Sequence, residues 1–299
     1  MFAPHRIFDR TALLRHRARA AWLHGDNPAA PAPDFLLRRV ADDFSDRLAL
    51  IKRTFSAAVD LGCHHGVLGR TLRQNNAIPF TAAADECPEL LAFADAPRHG
   101  IDLERLPFAA ASADLVVSGL ALQTVNDLPG TLSQIQAMLR PDGLLLAALI
   151  GGRSLFELRD ALLAAETERA GGVSPRIAPM VDVRDLGSLL QRARFALPVV
   201  DSDVVTVTYA HPLALLHDLR GMGATSCLAE RPRTFLPRGL LQRAFELYAE
   251  RHANPDGRIR ATFEILTATA WAPHASQQQP LKRGSATTRL ADALKPRQL

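Results

Sequence analysis

A short segment near residue 60 combines an acidic residue with two glycines directly after an apolar run, Val59-Asp60-Leu61-Gly62-Cys63-His64-His65-Gly66. Glycine lets the backbone approach a ligand closely, because a Cβ atom would block that approach. A strand, a glycine turn and a helix in this order are typical of nucleotide-type sites. A dinucleotide site would have G-x-G-x-x-G spacing, whereas Gly62 and Gly66 give G-x-x-x-G, and Asp60 would repel a pyrophosphate. The segment therefore favours a cationic or amine-bearing ligand.

Two further acids follow at intervals that suit the ends of the next strands. Asp85 follows Asp60 by 25 residues, and an acid at the end of a second strand can bind two ribose hydroxyls. Asp102 lies in the loop after an expected third strand. The three acids could instead be helix caps or turn residues, but their shared register favours a ligand cleft. We expect neighbouring residues to contact the same ligand, namely Cys63, Glu86, Leu103 and Ser118.

The elements that must position these residues alternate between strands and helices. Apolar runs and helical spacing predict strands and helices in alternation at 55–61, 67–72, 80–84, 90–94, 114–117, 128–139 and 144–150. The strand runs show no period of two, which is typical of parallel strands covered on both faces. The pattern predicts an α/β fold with a parallel sheet. Two helices are expected before it, on either side of the proline-rich break at 26–33.

The chain after Gly151-Gly152 has a more helical pattern, with helices expected at 155–170, 182–193, 213–219 and 240–252. Two stretches rich in β-branched residues, 199–209 and 260–271, predict an antiparallel pair that closes one edge of the sheet. The chain then divides into four parts. These are an N-terminal helical cap (1–50), a core with the ligand cleft (51–152), a helical cover with the last two strands (153–273) and a polar tail (274–299).

Composition excludes several classes of protein. Hydrophobic residues make up 47% and charged residues 22%, which excludes wholesale disorder, and no run of about 18 apolar residues predicts a membrane span. A net charge of +4 is too small to indicate nucleic-acid binding. Three scattered cysteines exclude a disulfide scaffold and suit a reducing compartment. The adjacent side chains of His64 and His65 diverge, and the sequence places no third ligand beside them. We therefore expect no metal site.

The first 25 residues are rich in arginine, with apolar residues between the arginines. A mitochondrial transit peptide has a similar composition. Asp9 interrupts the basic run, however, and this stretch contains no serine. We therefore expect a helix over 6–19 that lies across the ligand cleft, rather than a cleaved presequence. Only three of the 35 basic residues are lysines, a bias that hints at a GC-rich bacterial genome.

The acids and the glycine turn resemble the motifs of class I S-adenosylmethionine-dependent methyltransferases. Those proteins carry an acidic residue followed by L-G-C-G-x-G, and this chain differs at His64, which stands where they have their second glycine. The resemblance implies that S-adenosylmethionine is the cofactor, that Asp85 holds its ribose and that Asp102 holds its adenine amine. It also implies a Rossmann-like, doubly wound, mainly parallel seven-stranded sheet with N-terminal helices and a helical cover insertion. Two later segments fit the same motifs, Asp114-Leu115-Val116-Val117-Ser118 and Leu139-Arg140-Pro141-Asp142-Gly143.

A closer resemblance covers about residues 7–287 and is to the complex I assembly factor 5 family and its bacterial relatives. It rests on strings outside the generic motifs, including Ile7-Phe8-Asp9-Arg10, Val125-Asn126-Asp127-Leu128-Pro129, Ala165-Glu166-Thr167-Glu168-Arg169 and Asp218-Leu219-Arg220-Gly221-Met222-Gly223. The resemblance implies a role in maturing the respiratory NADH dehydrogenase, with hydroxylation of an arginine in a peripheral-arm subunit. The family commonly has His-Trp where this chain has Gln123-Thr124, so one obvious general base is missing.

Three functions remain open from the sequence. The leading one is modification of a protein arginine during complex I assembly, with substrate contacts expected at Gln123, Asp127, Glu166, Arg169 and Asp218. The others are S-adenosylmethionine-dependent methylation of a small molecule and a non-catalytic assembly chaperone. No catalytic residue is assigned. We expect the protein in a bacterial cytoplasm, where complex I would bring it to the inner face of the inner membrane, or in the mitochondrial matrix of a eukaryote.

Overall fold

The computed structural model describes residues 6–26, 33–95 and 97–278. Its seven strands form one sheet and are β1 (Ala58–Leu61), β2 (Phe80–Asp85), β3 (Arg98–Gly100), β4 (Ala113–Gly119), β5 (Leu139–Ile150), β6 (Ala196–Tyr209) and β7 (Ile259–Trp271). The helices of the described part are α1 (Arg10–Asp26), α2 (Phe35–Leu50), α3 (Val67–Asn76), α4 (Pro88–Leu91), α5 (Leu128–Met138), α6 (Phe156–Ala170), α7 (Val183–Arg192), α8 (Pro212–Gly221) and α9 (Arg238–His252). A 3₁₀ turn, Leu122–Thr124, follows β4.

The strand order is β3-β2-β1-β4-β5-β7-β6. Strand β1 pairs in parallel with β2 and β4, and β4 pairs in parallel with β5. Strand β7 runs antiparallel to both β5 and β6. The order changes direction between β1 and β4, and ligands of such sheets bind at this switch point, beyond the carboxyl ends of the strands. The predicted seven-stranded, doubly wound fold is confirmed.

Each face of the sheet is covered by helices. All seven residues of β4 are buried, as expected for a parallel strand between two layers. On one face Leu115 packs in a cluster with Phe44 of α2 and Leu68 of α3. On the other face Val116 packs with Ile135 of α5 and with residues of α7. Successive side chains of β4 therefore pack in the hydrophobic cores on opposite faces of the sheet, which fixes the position of the strand between them.

Most predicted elements are found, with shifted ends. The N-terminal helix begins at Arg10 rather than at residue 6, because Phe8 pairs instead with Leu228 in an isolated bridge. The helix expected at 90–94 is one turn, Pro88–Leu91. The predicted antiparallel pair is present as β6 and β7 and completes the same sheet as β1 to β5. The division of the chain into four parts stays a prediction, and residues 279–299 of the expected tail lie outside the described residues.

None of the helices within the described residues is long and apolar enough to span a membrane.

Candidate cofactor cleft and adjoining cavity

The turn after β1 requires glycine at two positions. Gly62 has φ +70° and Gly66 has φ +80°, both in the left-handed region that favours glycine. A Cβ atom on Gly62 would lie 2.2 Å from the Cβ of Ala121, and one on Gly66 would lie 2.8 Å from the Cα of Ala94. Gly66 is also the residue before the first turn of α3. The two glycines therefore bring the end of β1 close to the segments after β4 and α4.

Asp60 lies under this turn and is 2% exposed. Its Oδ2 accepts a hydrogen bond from the backbone N–H of Gly69 at 3.1 Å, which ties β1 to α3. Its Oδ1 is buried and has no hydrogen-bond partner. Burial raises the pKa of Asp60 to about 7, because a charged carboxylate loses its hydration inside the protein. A buried acceptor without a partner is an uncommon feature that suits a ligand carrying a donor.

Asp85, at the end of β2, is fully buried and already has three donors. The guanidinium of Arg17 donates to its Oδ2 at 2.8 Å, and the backbone N–H of His64 donates to the same oxygen at 2.9 Å. The backbone N–H of Cys87 donates to Oδ1 at 2.8 Å. Arg17 comes from α1 and is itself 5% exposed. The carboxylate that was predicted to hold ribose is thus bound to an arginine of the same chain.

A second arginine of α1 joins the remaining acids of the cleft. Arg10 pairs with Glu86, with Asp102 at 3.0 Å and with Glu104 at 3.3 Å. Glu86 also accepts a hydrogen bond from the backbone N–H of Leu103 at 2.8 Å. Three carboxylates therefore converge on one guanidinium, with Glu86 buried and Asp102 half exposed.

Helix α1 covers the end of β2, as expected from the sequence. Its residue Ala21 is buried against Cys87 and Leu90, and Leu14 and Ala18 pack on the same cluster. The pairing of its arginines with the cleft acids was missed. The spacing of Arg10 and Arg17 was the available signal, because residues seven apart lie on one face of a helix.

His64 occupies the position where the methyltransferase motif has glycine, and it keeps a glycine-like backbone with φ +51°. Its Nε2 lies 3.0 Å from the carbonyl oxygen of Gly119 and its Nδ1 lies 3.0 Å from Nη2 of Arg17. Burial, followed by the charge of Arg17, lowers the pKa of His64 to about 4. The imidazole is therefore neutral, with Nε2–H donating to Gly119 and Nδ1 accepting from Arg17. It links α1 to the end of β4.

Other predicted contact residues line the same end of the sheet. Ser118 is fully buried in β4, and its hydroxyl has no hydrogen-bond partner. Cys63 is buried, and burial raises the pKa of its thiol well above the usual range, which excludes a thiolate nucleophile. Gln123 donates from Nε2 to the carbonyl oxygen of Leu120 at 2.7 Å, while its buried Oε1 has no partner.

A cavity of about 520 Å³ adjoins the cleft at His64, Leu120 and Gln123. Its wall is mainly apolar and is formed by side chains of α2, α6, α8 and β7, among them Leu36, Leu37, Leu158, Leu162, Leu219 and Phe263. None of the four acids Asp60, Asp85, Glu86 and Asp102 belongs to this wall. The cleft with its acids and the apolar cavity are therefore two neighbouring compartments.

Comparison with known proteins decides the family. A family model described as a methyltransferase domain matches residues 59–147. The mitochondrial arginine hydroxylase NDUFAF5 of Danio rerio is 38% identical over 293 residues, which cover 97% of this chain and 90% of that protein. The chain belongs to the NDUFAF5 family. This family lies within the class I S-adenosylmethionine-dependent methyltransferases, so the chain is an enzyme of that superfamily and S-adenosylmethionine is its cofactor.

Two further similarities agree with this family. A malonyl-[acyl-carrier protein] O-methyltransferase of Methylovorus is 32% identical over 294 residues, which cover 94% of this chain and 95% of that protein. The crystal structure of the YcgJ protein of Bacillus subtilis superposes with a TM-score of 0.55 at 12% identity and covers 79% of this chain and 99% of that one. This structural similarity is one of fold alone.

The residues of the cleft suit S-adenosylmethionine in part. A Cβ atom would fill the space at Gly62 and Gly66, and the orphaned Oδ1 of Asp60 suits an ammonium group, which this cofactor carries. The ribose position differs, because Arg17 and α1 cover Asp85 completely. The cleft of this family member therefore matches the cofactor at the glycine turn and is closed at the end of β2.

The five expected substrate residues are not brought together. Gln123 lines the cavity, but Asp127 caps α5 through the backbone N–H of Gly130. Glu166 is buried and accepts from Arg176 and from the backbone N–H of Ser174, so its carboxylate is committed to the protein. Helix α6 turns this carboxylate inward, and its role as a substrate contact stays a prediction.

The last two expected substrate residues also lie elsewhere. Arg169 is exposed on the last turn of α6, near Gly239 of α9. Asp218 of α8 lies beside Tyr209, where burial and this carboxylate raise the pKa of the phenol. Neither residue lines the cavity.

Within the residues that the structure describes, no group of three or more His, Cys, Asp or Glu side chains could hold a metal ion. The His64-His65 pair diverges as expected, since His64 contacts Gly119 whereas His65 lies 3.4 Å from Asp34.

Proposed function

We propose that this chain modifies an arginine side chain of a respiratory complex I subunit during assembly of that complex. The observation that carries the proposal is the match to arginine hydroxylases along 97% of the chain, which includes α1 and the helices beyond the cofactor domain. The reaction would take place where that subunit is assembled. This would be the bacterial cytoplasm, at the inner face of the inner membrane, or the mitochondrial matrix.

The acids of the cleft supply the recognition that such a substrate needs. A guanidinium group is bound best by carboxylates that accept several of its N–H donors. Glu86, Asp102 and Glu104 already hold a guanidinium of this kind, that of Arg10. An arginine from a partner protein can bind the same carboxylates if Arg10 leaves them. We propose that substrate and α1 compete in this way.

The cofactor would lie beside this position. Gly62 and Gly66 would let it approach the end of β1, and Asp60 would accept from its amine. Asp85 would hold its ribose only after Arg17 has withdrawn. When bound, S-adenosylmethionine supplies a sulfonium ion with an electrophilic methyl group. His64 is neutral and its two ring nitrogens are engaged, so in this arrangement it positions α1 and β4 instead of moving a proton.

A second candidate is methyl transfer to a small molecule, which the similarity to an O-methyltransferase favours. A third, a chaperone without chemistry, is favoured by the full occupation of Asp85 by groups of the protein. Neither the small-molecule methyltransferase nor the chaperone would leave a modified arginine on a complex I subunit, so analysis of that subunit separates them from the leading proposal.

The test compares a host strain with and without the gene. Peptides of the peripheral-arm subunits are analysed by mass spectrometry, which distinguishes an added oxygen atom from an added methyl group on arginine. We expect the deletion strain to lose both the modified arginine and assembled complex I. The variant Asp102→Asn should restore neither, since it removes one of the carboxylates that would bind the guanidinium of the substrate. Asp95→Asn, which removes an exposed ion pair with Arg73 and leaves the carboxylates around Arg10 in place, is the matched control.

Other outcomes separate the alternatives. Assembled complex I with an unchanged arginine profile in the deletion strain would contradict the proposal and favour a small-molecule methyltransferase. Restored assembly without any modification by Asp102→Asn would instead favour the chaperone. A methylated arginine in place of a hydroxylated one would keep the substrate and change the reaction.

A further inference from the structure

The charged side chains that line the apolar cavity fall into two groups. In the first group each charge is neutralised. Arg176 pairs with the buried Glu166, and Asp34 pairs with Arg38 at 2.8 Å. These pairs leave no net charge on the cavity wall, so they give no preference for a charged ligand.

The second group consists of Arg19 of α1 and Arg220 of α8. Neither forms an ion pair with any residue that the structure describes. Arg19 donates through Nη2 to Thr225 Oγ1 at 3.0 Å and towards His16 Nδ1 at 3.4 Å, and both of these partners are uncharged groups. The pKa of Arg19 is lowered, first by burial and then by the charge of Arg220. Among the described side chains, two guanidinium groups thus face one cavity without a counter-ion.

Donor groups without partners lie at the same place. The Nε of Arg19 is buried and has no hydrogen-bond partner, and the hydroxyl of Ser226 is in the same state. Both residues line the cavity. A buried donor that stays unpaired destabilises the protein, so such groups are rare unless a ligand or a water molecule completes them. Together with the two positive charges, these donors call for an anionic acceptor.

The rest of the cavity wall is apolar and suits an apolar part of a ligand. Leu158 and Leu162 of α6, Leu216 and Leu219 of α8 and Phe263 of β7 form much of it. Its volume of about 520 Å³ lies within the range of sites that enclose a whole small ligand, about 300–1,000 Å³. Arg220 is an exposed residue, so the positive end of the cavity faces solvent.

We propose that this cavity binds a ligand with an apolar body and a single carboxylate group, and that Arg19 and Arg220 hold the carboxylate. The apolar body extends inward along α6 and α8 towards His64 and Leu120. Planar guanidinium groups match a carboxylate well, because each offers parallel N–H donors to its two oxygens. The site is separate from the acids of the cofactor cleft, so the inference stands whichever reaction the cleft supports.

The test is a calorimetric titration of the full chain with sodium octanoate. We expect saturable binding of octanoate. Acetate lacks the apolar chain and 1-octanol lacks the charge, so each should bind at least roughly tenfold more weakly. Arg19→Gln and Arg220→Gln should each weaken octanoate binding roughly tenfold, because charge-assisted hydrogen bonds are the strong ones. Arg15→Gln is the matched control, since Arg15 is exposed on the same helix and does not line the cavity.

If Arg19→Gln unfolds the protein, Arg220→Gln still tests the proposal. Arg220 is exposed, so thermal unfolding of this variant should match that of the native chain. Equal binding of octanoate and 1-octanol would overturn the proposal and leave a simple apolar cavity. Absence of saturable octanoate binding, or binding that Arg220→Gln does not weaken, would also overturn it. Tighter binding of octyl phosphate than of octanoate would contradict the carboxylate and show that the site prefers a phosphate group.

Discussion

The cofactor cleft and the apolar cavity are neighbours with opposite charge arrangements. In the cleft, Asp85 is bound to Arg17, and Glu86, Asp102 and Glu104 are bound to Arg10, so these four carboxylates lie against positive charges. In the cavity, Arg19 and Arg220 form no ion pair with an acid of the described part of the chain. Helix α1 supplies arginines to both places. The difference indicates that α1 closes one site with its own side chains and leaves the other ready for an anion.

The largest effect is expected from removing the buried ion pair of the cleft. Arg17→Met leaves the carboxylate of Asp85 buried without a cation, and breaking a buried pair in this way costs about 3–5 kcal/mol of stability. Urea unfolding measures the loss. Arg15→Met on the same helix should change the free energy of unfolding little, because Arg15 is exposed. Equal losses for the two variants would mean that α1 does not depend on the cleft.

Asp60 differs from the other acids of the cleft, because it has no ion-pair partner among the described residues. A carboxyl with a higher pKa in the folded protein than in the unfolded chain opposes folding once it ionises. Burial raises the pKa of Asp60 from 3.8 to about 7, and one unit corresponds to about 1.4 kcal/mol. Asp60→Asn should therefore stabilise the protein by up to roughly 4 kcal/mol above pH 7, by progressively less as the pH falls, and not at all below pH 4.

Asp114 provides the control with the opposite sign. Burial opposes ionisation of Asp114, but hydrogen bonds from Ser56 and from the backbone N–H of Ala57 outweigh it and lower the pKa of this carboxyl. Its ionised form therefore stabilises the fold, and the contribution is lost as pH falls through that lowered pKa. Asp114→Asn should destabilise the protein at neutral pH. Stabilisation by both variants would contradict this sign, because it would mean that burial outweighs the hydrogen bonds at Asp114 as it does at Asp60.

A smaller effect is expected at the exposed edge of the cleft. Arg10→Gln removes three ion pairs. Those with Asp102 and Glu104 are partly exposed and contribute little, and the buried Glu86 keeps its hydrogen bond from the backbone N–H of Leu103. We expect a loss of about 1 kcal/mol in unfolding free energy, and a smaller loss in high salt, which screens exposed charges. Arg10→Lys, which keeps the charge, should lose less. A loss that does not depend on salt would assign the effect to packing.

The sequence predicted the sheet and the glycine turn because those features are local. The apolar runs specify buried parallel strands, and Gly62 and Gly66 specify a close approach. What it did not predict depends on side chains that meet across the fold. Asp85 stands at the expected strand end, but its partner Arg17 lies 68 residues away. Likewise Glu166 sits on the expected helix, but only tertiary packing turns it towards Arg176.

The most direct test of this account is hydrogen exchange of α1 in the presence and absence of S-adenosylmethionine. The cofactor can reach Asp85 only if Arg17 leaves it, so saturating cofactor should speed amide exchange in α1 while α2 exchanges as before. Slower or unchanged exchange in α1 would contradict the account. It would mean that the cofactor binds with Arg17 still on Asp85.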